Sequence, residues 1–130
     1  MTALVLDTTV LIDALRGRPA AARLRDLAAR REVLLTTAVN VEEIIRGLRP
    51  SEEAVADALF TAIRVLPVRE PDARRAGAWR REHAARGITL HQADCLIGAV
   101  TVGIGARLAT GNVKDFPMPE LTVEQWPPGL

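Results

Sequence analysis

The sequence predicts an α/β fold, a three-layer α/β/α domain around a central, mostly parallel sheet of four to five strands. Two observations favour this class, and a third concerns the number of domains. Short runs of apolar, β-type residues alternate with longer segments of helical periodicity. Glycine and proline punctuate the junctions between these segments. No linker, repeat or low-complexity block divides the 130 residues, so we expect a single domain over residues 1–130.

The predicted strands are the short apolar runs. The third contains Pro67, which lacks a backbone donor and argues against a central position in the sheet. The four expected strands cover residues 3–6, 33–35, 63–68 and 107–110, and a fifth, if the sheet has five, covers 121–123.

The predicted helices are delimited by capping and breaking residues. The first helix covers 10–15 and ends at Gly17, and Pro19 opens a second that reaches about 31. Thr36 or Thr37 caps the third helix, and Ser51 caps the fourth. Pro71 opens the fifth, and Thr89 with Gln92 at capping-box spacing begins the sixth. Gly47 and Gly87 end the third and fifth helices.

The formal net charge of +1 hides an uneven distribution, since 16 of the 17 basic residues are arginine and Lys114 is the only lysine. Arginines cluster in residues 16–31 and again in 69–86. Such patches attract polyanions, and the guanidinium fork suits phosphate. Equally, they are consistent with solvated helix faces whose aliphatic stems cover apolar surface.

Two further features concern location. Cys95 is the only cysteine, which excludes an intrachain disulfide and favours a reducing compartment. No apolar run approaches the ~20 residues that span a bilayer, and the start lacks the pattern of a signal peptide. We therefore expect a cytoplasmic protein without membrane contact.

Acids recur near the predicted junctions, at Asp7, Glu43, Asp94 and Asp115. Asp7 ends the first strand, where ligand crevices form in α/β sheets. Asp94 lies in the first turns of an apolar helix, so it is either a functional acid or a partner of the helix dipole. Periodicity puts neither Glu42 nor Glu43 in the apolar stripe of its helix.

Acids that do cluster need compensation. Two carboxylates ~4 Å apart repel by about 4 kcal/mol at an effective dielectric of ~20. A pocket of such groups requires a divalent cation, a protonated member or an arginine. Oxygen ligands without clustered histidine or cysteine favour Mg²⁺ or Mn²⁺ over zinc.

Four segments in order resemble the conserved blocks of PIN-domain nucleases: 4–12, 43–48, 92–99 and 110–116. The second has its acid four residues before a glycine, which selects Glu43 over Glu42. In size and block order, the chain looks most like the VapC toxins of type II toxin–antitoxin systems. The resemblance implies an RNA-cleaving, Mg²⁺-dependent ribonuclease (with Mn²⁺ as an alternative) that forms a homodimer and is silenced by a VapB-type antitoxin.

The same resemblance implies roles for individual residues. Asp7 and Asp94 would be the principal metal ligands, and Glu43 would complete the catalytic pocket. Thr8 would hydrogen-bond a carboxylate or a substrate phosphate, with Thr110 in support. Many relatives carry an acid where this chain has Asn112, so either Asn112 or the fourth catalytic acid, Asp115, would approach the metal.

The arginine-rich helix at 69–86 is a candidate for phosphate contacts, and Trp79 is either a stacking or dimer-contact residue or a core residue. His83 and His91 lack zinc-like spacing. Two rival functions are a PIN-like binding module that has lost catalysis, which Asn112 leaves open, and a receiver-like signalling domain. The latter needs a phosphoacceptor aspartate after the third strand, where this chain has Val68-Arg69-Glu70.

Overall fold

The computed structural model describes residues 3–127, which form a five-stranded parallel sheet with helices on both faces. In chain order the strands are β1 (Ala3–Leu6), β2 (Val33–Thr37), β3 (Arg64–Leu66), β4 (Arg107–Thr110) and β5 (Val123–Gln125). The α-helices of the described part are α1 (Thr8–Leu15), α2 (Pro19–Ala29), α3 (Ala38–Gly47), α4 (Glu53–Ala62), α5 (Glu70–Ala84) and α6 (Gln92–Gly103). Short 3₁₀ turns occupy Pro50–Glu52 and Val113–Asp115. The predicted three-layer α/β/α class is confirmed.

The order of the strands is β3-β2-β1-β4-β5, and all four pairings are parallel. Because β1 lies between β2 and β4, the chain leaves it toward one side of the sheet and later returns on the other side. In parallel sheets a crevice for ligands opens at this reversal, beyond the carboxyl ends of the strands. The residue that follows β1 is Asp7, so this acid lies at the reversal.

The period of two along β1 divides its side chains between two cores. Val5 packs with Trp79 and Ile97 in the layer of α5 and α6. Leu4 and Leu6 pack on the other side, in the core that includes Leu11. Fully burying one such aliphatic side chain contributes about 1.5–3 kcal/mol, so the end of β1 is rigidly anchored from both faces.

Several predicted boundaries agree with the structure. Thr37 caps α3, where its hydroxyl accepts a bond from the backbone N–H of Asn40. Pro19 is the first residue of α2, and Gly17 follows α1 with a φ of 69° that suits glycine. The third strand lies at the edge of the sheet, as Pro67 indicated, but is shorter than predicted.

Other predicted boundaries differ from the structure. Ser51 does not cap α4, because it lies inside a 3₁₀ turn in which the Glu52 carboxylate accepts the backbone N–H of Arg49 at 3.0 Å. Thr89 does not begin α6, because Leu90 lies outside the helix with its side chain in the core, and His91 is the N-cap without a side-chain bond.

The fifth strand also starts two residues later than predicted. The backbone N–H of Leu121 donates to the carbonyl of Met118 at 3.1 Å, which closes a turn where the strand was expected. Leu121 itself is a core residue, so its apolar character reflects packing in a loop. No helix in residues 3–127 has the length and apolar character needed to cross a bilayer.

Candidate active site

Side chains from three distant segments meet at the carboxyl end of the sheet. They line a cleft of about 300 Å³ beyond β1. Asp7 comes from the end of β1, Glu43 from α3 and Asp94 from the first turn of α6. The other residues that line the cleft are Thr8, Thr9, Ile12, Arg46, Gly47 and Asn112. The structure therefore brings together three of the four predicted acids in one cleft.

Asp7 is buried, with 5% of its surface exposed, and is fixed by hydrogen bonds on both oxygens. The hydroxyl of Thr110, at the end of β4, donates to Oδ2 at 2.6 Å. The side-chain amide of Asn40 donates to Oδ1 at 3.1 Å. Burial raises the pKa of Asp7, and the bonds from Thr110 and the Thr8 backbone oppose this rise. The carboxylate is thus oriented by neighbours that are neutral and leave its charge uncompensated.

Glu43 is held by a separate contact. The Thr8 hydroxyl donates to Glu43 Oε1 at 2.7 Å, and the Asn40 amide donates to that same hydroxyl at 3.0 Å. A continuous network therefore runs from Asp7 through Asn40 and Thr8 to Glu43. The neighbouring Glu42 is exposed, so the two adjacent glutamates differ sharply in environment.

Asp94 is the most perturbed acid of the cleft. Burial is the main cause that raises its pKa from 3.8 to about 6. The negative charges of Asp115, Asp7 and Glu43 raise it further, in that order, while His91 opposes them. A half-buried carboxyl that is destabilised by three other acids lies where negative charge has accumulated. Such a site is a candidate for function.

Asn112 and Asp115 lie on different parts of the site. Asn112 lines the cleft that contains Asp7, and its backbone N–H donates to the Thr110 hydroxyl at 3.0 Å. Asp115 belongs to the 3₁₀ turn after β4 and lines an adjoining cavity together with Asp94. Both therefore lie near Asp94, and Asp115 is the one that adds negative charge.

The acids of this cluster lack salt-bridge partners among the described residues. No salt bridge within residues 3–127 involves Asp7, Glu43, Asp94 or Asp115. By contrast, much of the first arginine cluster is engaged in surface ion pairs: Arg16 with Glu52, Arg18 with Asp13, Arg23 with Glu124, and Arg30 with Asp26. For those residues the solvated helix face is the better interpretation.

The donor set suits a hard divalent cation, because it consists of carboxylate, amide and hydroxyl oxygens with no cysteine or histidine. Across residues 3–127, no three His, Cys, Asp or Glu side chains are already grouped closely enough to hold a metal ion. Mg²⁺ does not require such a cage, since it usually retains several waters and binds through one or two carboxylates together with substrate phosphates. Asp7 and Asp94, which both line the cleft, are two carboxylates available for such binding.

Comparison with known proteins places the chain in a family. The PIN domain matches residues 4–117. The chain is 36% identical to Ribonuclease VapC19 of Mycobacterium tuberculosis over 115 residues, which is 88% of this chain and 92% of that protein. This chain is a PIN-domain protein of the VapC ribonuclease family.

Solved structures show the same fold. VapBC2 from Rickettsia felis, bound to a DNA fragment from the promoter, matches 96% of this chain and 99% of that one with a TM-score of 0.85 and 20% identity. DNA-bound VapBC from Salmonella typhimurium matches 97% and 99% with a TM-score of 0.83 and 24% identity. The resemblance to VapC toxins inferred from four short segments is thus confirmed over nearly the whole chain, and the receiver-like alternative is excluded.

Two side chains that contribute to the site, one behind the acids and one in the cleft, were not predicted from the sequence. Asn40 is fully buried and joins Asp7 to Thr8. It lies one helical turn before the buried Ile44, so a polar residue on an apolar helix face was the available signal. Arg46, which lines the cleft beside the acids, gave no signal among sixteen arginines. Trp79 is 3% exposed and is a core residue.

Proposed function

We propose that this chain is an endoribonuclease toxin that hydrolyses RNA at the cleft formed by Asp7, Glu43 and Asp94. Membership of the VapC ribonuclease family gives the reaction class. The observation that carries the assignment of the site is the convergence of three uncompensated acids from β1, α3 and α6 on one cleft.

Mg²⁺ is the proposed cofactor, with Mn²⁺ as a substitute, and Asp7 and Asp94 are the residues that would hold it. When bound, such a cation offsets the charge of the substrate phosphate and lowers the pKa of a water molecule. Burial and mutual repulsion make the empty cluster unfavourable, which supports cation binding at this position.

The protein residues orient the reaction. Asn40 and Thr110 hold the two oxygens of Asp7, so that this carboxylate keeps one orientation as substrate enters. Thr8 holds Glu43, which we assign to orienting the attacking water. Arg46 supplies a cation at the same cleft for the phosphate of the substrate. Hydrolysis then adds water across a P–O bond, and the departing ribose oxygen takes a proton.

Asn112 and Asp115 are proposed as supporting residues. Asn112 offers an amide oxygen that ligates without adding charge, whereas Asp115 adds negative charge next to Asp94. We therefore assign Asp115 as the fourth acid and Asn112 to contacts with substrate or cation. These two roles predict that Asp115→Asn reduces cation affinity more than Asn112→Ala does.

A VapB-type antitoxin and a homodimeric state complete the proposal. The similarity to VapC ribonucleases, and a fold shared with VapBC assemblies, support an antitoxin partner. We propose that residues 1–130 act as one domain in the cytoplasm, where the lone, buried Cys95 stays reduced. Sedimentation velocity of the purified chain, alone and with its antitoxin, measures both associations.

Adjacent glutamates provide a matched test of the site. Purified wild-type protein is expected to cut a 5′-labelled structured RNA with Mg²⁺ and to stop when EDTA is added. Glu43→Gln is expected to lower the rate at least tenfold, because it removes the charge of an acid in the cleft, whereas Glu42→Gln should keep the wild-type rate.

Two outcomes would contradict the assignment. Equal rates for the two glutamate variants would show that the cleft is not the catalytic site. A wild-type protein that binds RNA but never cuts it, under any divalent cation, would favour the binding module that has lost catalysis.

A further inference from the structure

A second cavity adjoins the catalytic cleft. Its volume is about 520 Å³, and it lies between the end of α5, the segment 85–91 and the segment 113–119. Asp94 lines both this cavity and the catalytic cleft. A ligand in the cavity would therefore be next to whatever is bound at the catalytic acids.

The cavity carries cations that have no acidic partner. Arg86 and Lys114 line its wall and are exposed. Neither takes part in any salt bridge within residues 3–127, whereas Arg69 and Arg74, at the start of α5, are paired. Other arginines of the described residues, such as Arg75, also lack a salt bridge, but Arg86 and Lys114 are the ones that line this cavity, beside Asp94 and Asp115. They lie where a phosphate chain that crosses the cleft would continue.

A buried histidine provides a directional polar group. His83 is 5% exposed and lines the cavity. Its Nδ1 is 2.9 Å from the carbonyl oxygen of Trp79, and because a carbonyl can only accept, Nδ1 carries the proton in this bond. In the neutral ring, Nε2 is then an acceptor without a hydrogen. Such an acceptor is suited to an N–H group at the edge of a nucleobase.

One part of the wall is apolar and contains rigid rings, beside the polar side chains of Thr89, His91 and Asp115. Pro117 and Pro119 line the cavity, and Ile88 at its rim is 45% exposed. The volume is within the range of about 300–1,000 Å³ for small-ligand sites. Proteins that read single-stranded RNA bind splayed bases against flat side chains and recognise their edges with hydrogen bonds.

We propose that this cavity is the subsite for the nucleoside next to the scissile phosphate. The base packs against the proline wall and donates an N–H to Nε2 of His83, while Arg86 and Lys114 contact the flanking phosphate. This inference rests on the proposed ribonuclease function and adds a residue that determines sequence preference.

The phosphate contacts are tested by the salt dependence of RNA binding. Affinity of a fluorescent single-stranded RNA is measured in the Asp7→Asn background, which keeps the RNA intact. Each cation lost is expected to reduce the slope of log affinity against log salt by about 0.7. Arg86→Ala and Lys114→Ala should show this reduction. Arg75→Ala, which removes the same charge from an exposed position of α5 outside the cavity, should not.

The base contact is tested by cleavage of RNAs that differ in one nucleotide on either side of the cut. Wild-type protein is expected to prefer particular bases at one of these positions. His83→Phe keeps a ring but removes the Nε2 acceptor, together with the Nδ1–H bond to the Trp79 carbonyl, and should reduce that preference about fivefold or more. The melting shift with Mg²⁺ must stay as in wild type, which separates loss of the base contact from damage to the acids. If His83→Phe fails to fold, wild-type protein is tested instead with RNAs whose base at that position lacks the N–H donor, and an unchanged cleavage rate would overturn the base contact.

Failure of the proposed function can be distinguished from failure of the nucleoside subsite. Absence of Mg²⁺-dependent cleavage by the wild type, or cleavage that survives Asp94→Asn, would overturn the proposed function itself. Acid-dependent cleavage in which Arg86→Ala and Lys114→Ala behave like Arg75→Ala would overturn only the subsite. Arg86→Ala and Lys114→Ala variants that bind RNA normally but bind the antitoxin more weakly would also overturn the subsite, and would indicate that the cavity binds a protein.

Discussion

Replacement of Asp94 by asparagine is predicted to stabilise the protein when no cation is present. Asparagine has nearly the same shape but no charge, so the variant removes the repulsion from the neighbouring acids. In wild type, burial and those acids raise the pKa of Asp94 from 3.8 to about 6. The folded protein therefore holds a proton between about pH 4 and pH 6 that the unfolded chain releases.

The sign and size follow from this difference. The stabilising contribution of the protonated carboxyl is complete below about pH 4 and is lost as the pH rises through about 6. At about 1.4 kcal/mol for each pKa unit, the ceiling is about 3 kcal/mol. Because Asp94 is only half-buried, solvent screening reduces the effect, and we expect about 1–1.5 kcal/mol at pH 8. This corresponds to a melting temperature higher by roughly 4–6 °C.

Thermal melting in EDTA from pH 4 to pH 8 measures the difference in melting temperature between Asp94→Asn and wild type. The contributions of the other titrating groups largely cancel in this difference. The difference should grow as the pH rises through about 6. With Mg²⁺, wild type should melt at a higher temperature than Asp94→Asn, because a ligand at a hundred times its dissociation constant stabilises the native state by about 2.7 kcal/mol. That gain should be largely absent in the variant.

Glu42→Gln is the control, since it removes an acid that is exposed and outside the cleft. It should melt like wild type under every condition. The reasoning is refuted if Asp94→Asn follows the wild-type pH profile in EDTA, or if it gains as much from Mg²⁺ as wild type does.

Three further predictions concern the network that orients the acids. Asn40→Ala leaves buried acceptors without their donor and should lower the free energy of unfolding by about 1–3 kcal/mol, with a loss of cleavage. Urea denaturation measures the change in stability, and normal stability with a normal cleavage rate would contradict this role. Thr110→Val removes a bond that lowers the pKa of Asp7, so the pH–rate profile should move to higher pH; an unmoved profile would exclude the contact from catalysis. Thr8→Val should lower kcat about tenfold with little change in KM, since it frees Glu43, and an effect confined to KM would instead indicate a substrate contact.

The strands and the acids at their ends were predictable because they depend on local signals. Residues 3–6 are an apolar run that stops at an acid, and Thr37 is an N-cap followed by a helix. The convergence of Asp7, Glu43 and Asp94 was predictable only through the resemblance to PIN-domain nucleases. Periodicity gave no reason to choose Glu43 over Glu42, although their environments differ.

The contacts between distant segments could not be predicted from the sequence, because they depend on how the strands and helices pack in the folded chain. Asn40 meets Asp7 across 33 positions and Thr110 meets it across 103. The start of α6 was misjudged because burial of Leu90 overrides a local capping pattern that begins at Thr89. Tertiary packing determines each of these contacts and boundaries, and a short segment of sequence carries no information about it.

The central claim is that Asp7 and Asp94 hold a divalent cation in the cleft. Anomalous diffraction from crystals grown with Mn²⁺ locates that ion directly. We expect a single dominant peak between these two carboxylates, and its loss in crystals of Asp94→Asn. A peak elsewhere, or none at saturating Mn²⁺ in protein that cleaves RNA, would contradict it.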